Sequence, residues 1–279
     1  MKMALCCAIF CTRNIVMTVH GYTRLLFIFG LLAASSCFAN TCEPDRIDEQ
    51  AVLTYVHDGD TVITDAQRKI RIIGLDTPEL ANKHSPAEPF ATQARDVLRQ
   101  LLKDSNTVGL RYDLQQKDRY QRDLAHLFLA NGDNVAEQLL KRGLATALII
   151  PPNLLFADCY LAAQKEAQNK RRGIWQLPEF QPVPLATIDT AKLPVYRLVT
   201  ATVTGIQRSQ RNYQIRLQDQ QQQLTLFIRG SDRSLFSRMF NHGLVGQKVQ
   251  VQGWINKRHG RLQLSLRHPG FLQQLADHS

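Results

Sequence analysis

Several kinds of residue are scarce in this chain. It has no apolar run long enough to be a comfortable membrane span. Leu25 to Ala34, behind Arg24, covers ten residues where about twenty are needed. Ser35-Ser36-Cys37-Phe38-Ala39 then offers small residues, so 1–39 reads as an export signal cut after Ala39. A start at Met17, a lipobox at Cys37 and an uncleaved anchor are alternative readings of the same stretch. Cysteine is scarce beyond that cut. Only Cys42 and Cys159 remain, and an even pair in an exported chain suggests a disulfide, with two free thiols as the alternative. Acid is scarce at the other end: residues 191–279 hold 13 Lys/Arg against 3 Asp/Glu, or +10. Residues 40–190 hold 18 against 21, or −3. A field so concentrated attracts polyanions such as nucleic acid or anionic lipid.

The central part of the chain punctuates into short β segments. Ala51 to Val56 and Thr61 to Thr64 flank the turn signal Asp58-Gly59 and predict a hairpin. Lys69 to Leu75 predicts a third strand, stopped by Pro78. Apolar residues at Ala94, Val97, Leu98, Leu101 and Leu102 give helical spacing over Phe90 to Leu102. Thr107 to Tyr112 and Leu124 to Leu129 are strands four and five. Asn134 caps a helix through Leu140, stopped by Gly143, and Leu154 to Arg171 is a third helix. The fold class is therefore mainly β with α: a barrel of OB type plus three helices. Pro178, Pro182, Pro184 and Pro194 mark a linker over 178–194. A second OB-like β-barrel follows over 195–275, with strands at Leu198 to Val203, Tyr213 to Leu217, Leu224 to Ile228, Lys248 to Trp254 and Leu262 to Leu266. A helix-like insertion spans Ser231 to Phe240. Arginines interleave there with Tyr213, Phe227 and Trp254, a texture that suits single-stranded nucleic acid.

The chemistry is concentrated between Asp58 and Arg122. Asp60 and Asp76 stand at the start of strand two and the end of strand three, where adjacent strands can bring them together. Two carboxylates plus a backbone carbonyl suit a hard cation such as Ca²⁺. The spacing is not that of an EF-hand, and a zinc site would draw on Cys and His. Glu79, three residues past Asp76 and behind Pro78, can orient or deprotonate a water. Arg71 and Arg122 can grip phosphate oxygens with planar, bidentate donors. Each residue alone suits a turn, a cap or a salt bridge; together they are what phosphodiester hydrolysis needs.

These residues carry a family resemblance. Asp58-Gly59-Asp60-Thr61, Arg71, Asp76-Thr77-Pro78-Glu79, Asp118-Arg119-Tyr120-Gln121-Arg122, Gly143-Leu144-Ala145 and Gly173-Ile174-Trp175 fall in the order of a staphylococcal-nuclease-type domain. Residues 50–177 resemble that domain, after an N-terminal segment of 40–49. The resemblance implies an OB barrel with Ca²⁺-dependent cleavage of DNA or RNA, the 5′ oxygen leaving to give 3′-phosphate ends. It places the metal on Asp60, Asp76 and the Thr77 carbonyl, the general base on Glu79 and the phosphate grip on Arg71 and Arg122. Arg119 and Tyr120 beside them are candidate substrate-binding residues. With the N-terminal signal, the chain is expected to be an exported monomer, periplasmic or secreted, without stable membrane insertion after signal cleavage, whose partner is single-stranded DNA or RNA. A non-catalytic nucleic-acid-binding protein on the same barrel is the alternative.

Three departures stand out. Gln121 replaces a common glycine and must tolerate a positive φ if the turn is kept. Leu148-Ile149-Ile150-Pro151 offers no phenol where the staphylococcal enzyme has tyrosines, and the basic C-terminal domain is the place where substrate grip could have moved. The loop Leu80 to Pro89, an Ω-loop region in the family, differs in content, and His84 within it reads as a surface residue.

Overall fold

The structure, a computed structural model, describes residues 42–209, 212–241 and 243–276. The expected export signal lies outside the described residues. No helix among those described is long and apolar enough to cross a membrane.

Alternation builds the first barrel. In β1 (Glu49–Val56), Ala51, Leu53 and Val56 point inward, and after the Asp58-Gly59 turn β2 (Thr61–Thr64) pairs back with Val56 opposite Val62. β3 (Lys69–Ile72) pairs antiparallel with β2 and parallel with β6 (Asp123–Phe128). β5 (Thr107–Lys117) pairs with β6 and with β1, closing a five-stranded barrel in the order β1-β2-β3-β6-β5.

The third strand, expected to run from Lys69 to Leu75, breaks at Ile73. Its continuation, β4 (Gly74–Asp76), leaves the barrel to pair with β7 (Thr146–Leu148). The cause is local packing. Gly74 has φ 94°, and a Cβ there would lie 2.1 Å from Cε2 of Tyr160. Only glycine lets the chain turn across that ring.

Three helices cover the barrel. α1 (Ala91–Leu101) buries Ala91, Ala94 and Leu98. α2 (Val135–Lys141) starts at Asn134, whose side chain accepts from the Glu137 N–H at 3.2 Å. α3 (Ala157–Asn169) begins three residues later than its periodicity predicts, because Leu154 supplies the carbonyl of the turn that precedes it. Cys42 and Cys159 form a disulfide with Cα atoms 5.7 Å apart, tying the N-terminal segment to α3.

The segment 178–194 is no free linker. Leu185 and Ile188 are buried in the second core, and β8 (Pro182–Pro184) lies parallel to β9 (Val195–Arg208). The Ala186 N–H donates to Asp219 at 3.0 Å. Proline cannot donate a ladder hydrogen bond, but at a sheet edge that is tolerated.

β9, β10 (Asn212–Asp219), β11 (Gln222–Arg229), β12 (Lys248–Arg258) and β13 (Arg261–Ser265) form the second barrel. β11 pairs parallel with β13, and β12 returns to β9, the same order as the first barrel. The insertion between β11 and β12 is a 3₁₀ turn, Gly230–Phe236, followed by α4 (Ser237–Asn241). A short β14 (Leu272–Gln274) extends the sheet beside β12.

The barrels share a packed seam. Ala167, Ile174, Trp175 and Leu198 form one buried cluster, with Phe180 and Tyr196 partly buried against it. Gln168 donates to Gln252 at 3.1 Å, and Arg267 donates to the Pro151 carbonyl at 3.3 Å.

Candidate active site

The turn between β1 and β2 sets the site. A Cβ at Gly59 would meet the Thr77 side chain at 2.7 Å, so glycine lets the turn press against the loop after β4. Asp60 is thereby buried against Thr77. Its Oδ2 accepts from the Thr77 N–H at 3.2 Å and the Thr77 hydroxyl at 3.0 Å, while Thr61 donates to Oδ1 at 3.0 Å. Arg71, on the neighbouring strand, reaches both expected metal-binding aspartates. Its guanidinium is 2.8 Å from Asp60 Oδ2 and 2.8 Å from Asp76 Oδ1, and it also donates to the Ile72 carbonyl at 3.0 Å.

One guanidinium does not balance the acids around it. Burial pushes the Asp60 carboxyl up to about 7, against the pull of Arg71, with Asp58 and Asp76 adding to the rise. Burial also raises Asp76, where Arg71 opposes and Glu88 and Asp58 reinforce it. Glu79, exposed as a residue, is raised first by partial desolvation of its carboxyl and then by Asp58, Asp76 and Glu88, with Arg71 opposing. These carboxylates together outnumber the one cation among them. An acid surplus of this kind, offering only oxygen donors, fits a hard divalent cation. Asp60, Asp76 and Thr77, the residues expected to hold such a cation, lie together here.

Glu79 itself is exposed at the head of the following loop. Its N–H donates to Glu88 Oε2 at 2.9 Å, and the Glu88 N–H donates to the Glu79 carbonyl at 2.9 Å. These two bonds close the loop and fix where Glu79 leaves it. His84 lies exposed within the loop, away from these bonds.

Arg122 is aimed by Asp118. Asp118 Oδ2 accepts from Arg122 Nε at 2.7 Å, and Oδ1 accepts from the N–H groups of Tyr120 and Arg122 at 2.8 and 2.9 Å. Gln121 adopts φ 65°, the positive value expected for a residue in glycine's place. The turn is therefore kept despite the departure. A pocket of about 260 Å³ has Arg71, Asp118 and Arg122 at its polar end and Leu124, Leu148, Ile150 and Phe156 along its walls. One phenol lines it, that of Tyr160, but its hydroxyl is engaged by His126 Nδ1 at 2.7 Å and Asn134 at 3.0 Å. Tyr120 is 65% exposed beside the pocket, with the Arg119 guanidinium 4.6 Å from its ring centroid.

The structure thus joins Asp60, Arg71, Asp76 and Thr77 directly and sets Arg71 and Arg122 in one pocket. Arg119 and Tyr120 form the exposed turn beside it. Cys42 and Cys159 serve the scaffold on α3 and take no part in the site. Sequence reasoning assigns no role to Asp118, Thr61 or Glu88. The Asx-turn pattern of an Asp at the start of Asp-Arg-Tyr-Gln-Arg is the signal that marks Asp118.

The second barrel carries a different depression. It measures about 460 Å³ and is lined by Asn212, Phe227, Arg229, Asn256, Arg258 and Gln263 among others, with no carboxylate.

Comparison with known proteins places these motifs in context. The model of the family described as staphylococcal nuclease homologue matches residues 69–177. The thermonuclease of Staphylococcus hyicus is 40% identical over 123 residues, covering 43% of this chain and 72% of that protein. The thermonuclease of Staphylococcus intermedius is 38% identical over 132 residues, covering 46% and 77% respectively. Endonuclease YncB of Bacillus subtilis is 32% identical over 123 residues, covering 42% of this chain and 57% of its own. None of these coverages accounts for the whole of this chain.

Proposed function

The chain belongs to the staphylococcal nuclease family and is a nuclease; on that premise we propose that it is an exported, Ca²⁺-dependent enzyme that leaves 3′-phosphate ends. The observation that carries this reading is Arg71 held between Asp60 and Asp76 in a surplus of carboxylates. Asp60, Asp76 and the Thr77 carbonyl would hold the cation, which would supply Lewis acidity to the reaction.

The side chains of the protein do the rest. Arg71 and Arg122, lining one pocket, donate N–H groups to the non-bridging oxygens of the scissile phosphate. Those bonds strengthen as negative charge builds in the transition state, and that difference is catalysis. Asp118 holds the Arg122 fork, so little reorganisation accompanies the reaction. Glu79, exposed and with its carboxyl pushed upward, takes a proton from the attacking water. The water oxygen bonds to phosphorus, the bond to the 5′ oxygen breaks, that oxygen takes up a proton from solvent to become a hydroxyl, and the phosphate stays on the 3′ side.

Export is supported by the apolar run of 25–34 and by the disulfide of Cys42 with Cys159, a bond that persists in oxidising compartments. Grip on a single strand is assigned in part to the carboxylate-free depression of the second barrel.

The test is digestion of single-stranded DNA by the mature chain in Ca²⁺ and in EGTA, followed by analysis of the ends. Ca²⁺-dependent cleavage with 3′-phosphate ends supports the reading. Cleavage that is unaffected by EGTA, or that leaves 5′-phosphates, contradicts it.

A further inference from the structure

The candidate acids are bordered by two pockets, and the second one belongs partly to the second barrel. The Arg71–Asp76 ion pair divides them. Arg71 lines the pocket that holds Arg122, whereas Asp76, Thr77 and Pro78 line another of about 260 Å³. The far wall of that second pocket is Tyr196, Arg197 and Trp254, from β9 and β12. It is smaller than the roughly 300–1,000 Å³ of sites for drug-sized ligands, so it suits a single ring system.

Trp254 is half exposed, which is unusual for the largest apolar side chain. It is nonetheless fixed in place. Its ring meets Tyr196 edge-on at 6.0 Å, Tyr196 meets Phe180 at 5.7 Å, and Phe180 meets the buried Trp175 at 5.5 Å. This aromatic ladder runs out of the seam and ends at the pocket. Tyr196 and Trp254 also face each other in the β9–β12 register. The Arg197 guanidinium lines the pocket and is tethered to the Tyr196 carbonyl at 2.7 Å through one nitrogen; among the described residues it has no other hydrogen bond.

The charge of the pocket identifies what it can take. Asp76, which is paired with Arg71, lines it with Glu88 and Glu179 against Arg197, so the acids still outnumber the cations and a phosphate is repelled. A neutral heterocycle escapes that penalty. It can stack on Trp254, and amino groups on its edge can donate to Glu88 or Glu179. A free aromatic platform beside a phosphate-cleaving site is also what the other flank provides, where Tyr120 stands exposed beside Arg119 and Arg122.

We propose that the pocket between Asp76-Thr77-Pro78 and Trp254 is a nucleobase subsite, supplied by the second barrel, for an unpaired base adjoining the scissile phosphate. The inference rests on the nuclease reading for its location. A base inside a duplex is stacked and paired and cannot enter, so the subsite favours single strands and sets how the strand lies across the acids. Stacking on one ring is sequence-tolerant, since every base presents a π-face.

The experiment uses the mature chain and its fluorescence. The sequence has two tryptophans, and Trp175 is 1% exposed, so Trp254 is the one that a ligand can touch. Titration with a 12-nucleotide single strand in EGTA, where cleavage is blocked, should quench tryptophan emission, and Trp254→Phe should lose that quench. With Ca²⁺ present, Trp254→Ala should raise KM for the 12-mer about tenfold. The rise should be smaller for a blunt 12-base-pair duplex, whose stacked and paired bases cannot enter, and smaller in Trp254→Phe, which keeps a ring. Unquenched emission at saturating strand, or equal KM changes for single-stranded and duplex substrates, would overturn the subsite. The two readings fail separately: quenching without any cleavage leaves the subsite standing and removes the nuclease chemistry. Cleavage without quenching does the reverse.

Discussion

The molecule contains two five-stranded barrels with the same strand order, each with its third and fifth strands parallel. Their charges differ sharply. The first buries Asp60, Arg111, Asp123 and His126 and surrounds Arg71 with acids; in the second, Asp232 is the one buried ionisable residue among those described, paired with Arg267 at 2.7 Å. The first lies in a stretch of −3 and the second in one of +10. Buried charge has a large desolvation cost and is kept where chemistry needs it. Surface charge costs little and acts at a distance. On the proposed reading, one frame serves two uses, with reaction in the first barrel and grip in the second.

The largest way to break this division is Arg71→Ala. The buried Asp60 then loses its counter-charge, which should cost roughly 3 kcal/mol of stability, the partial exposure of Asp76 keeping the loss at the low end of the range. Turnover should fall by about 10³-fold or more. Denaturant melts and initial rates check both. Arg122→Ala removes a more exposed side chain and should lose turnover with little loss of stability.

Next is the disulfide, which only the first barrel has. Replacing Cys42 and Cys159 with alanine opens a closure spanning 117 positions and should cost about 4–5 kcal/mol in the chain-entropy model. Chemical denaturation of the variant reads the loss. An unchanged midpoint would mean that the N-terminal segment contributes no constraint.

The second barrel is tested by salt. Arg229→Ala with Arg258→Ala removes two cations from the carboxylate-free depression. The slope of log affinity against log salt for a single strand should shrink by about 1.4, since each phosphate left without its arginine lowers it by about 0.7. An unchanged slope would remove that face from the binding surface.

The smallest effect sharpens the first barrel. Gln121→Gly relieves a positive φ of 65° and should raise stability by about 0.5–1 kcal/mol, with turnover retained. Thermal melts and rates together check it.

How legible these features are in the sequence follows the range of their causes. Asp60, Arg71 and Asp76 are readable because turn and strand signals only a few residues apart carry them together. The positive φ at Gln121 is readable from the glycine that the resembled family commonly has there. The break at Gly74 is not. It depends on the ring of Tyr160, far along the chain, while the local pattern continues as one strand. The segment 178–194 reads as a linker because proline is a local signal, whereas the burial of Leu185 and Ile188 is decided by the second core. The pocket at Trp254 is hidden most completely. It exists only because two barrels dock along the seam of Trp175, Phe180 and Tyr196, and no local pattern encodes that docking.

The most direct test of the division of labour is a comparison of kcat and KM on one single-stranded substrate for Glu79→Gln and for the paired variant Arg229→Ala, Arg258→Ala. The account predicts that Glu79→Gln loses kcat by about 10²–10⁴-fold with KM largely kept. It predicts that the paired variant raises KM far more than it lowers kcat. Wild-type kcat in Glu79→Gln, or a loss confined to kcat in the paired variant, would contradict it.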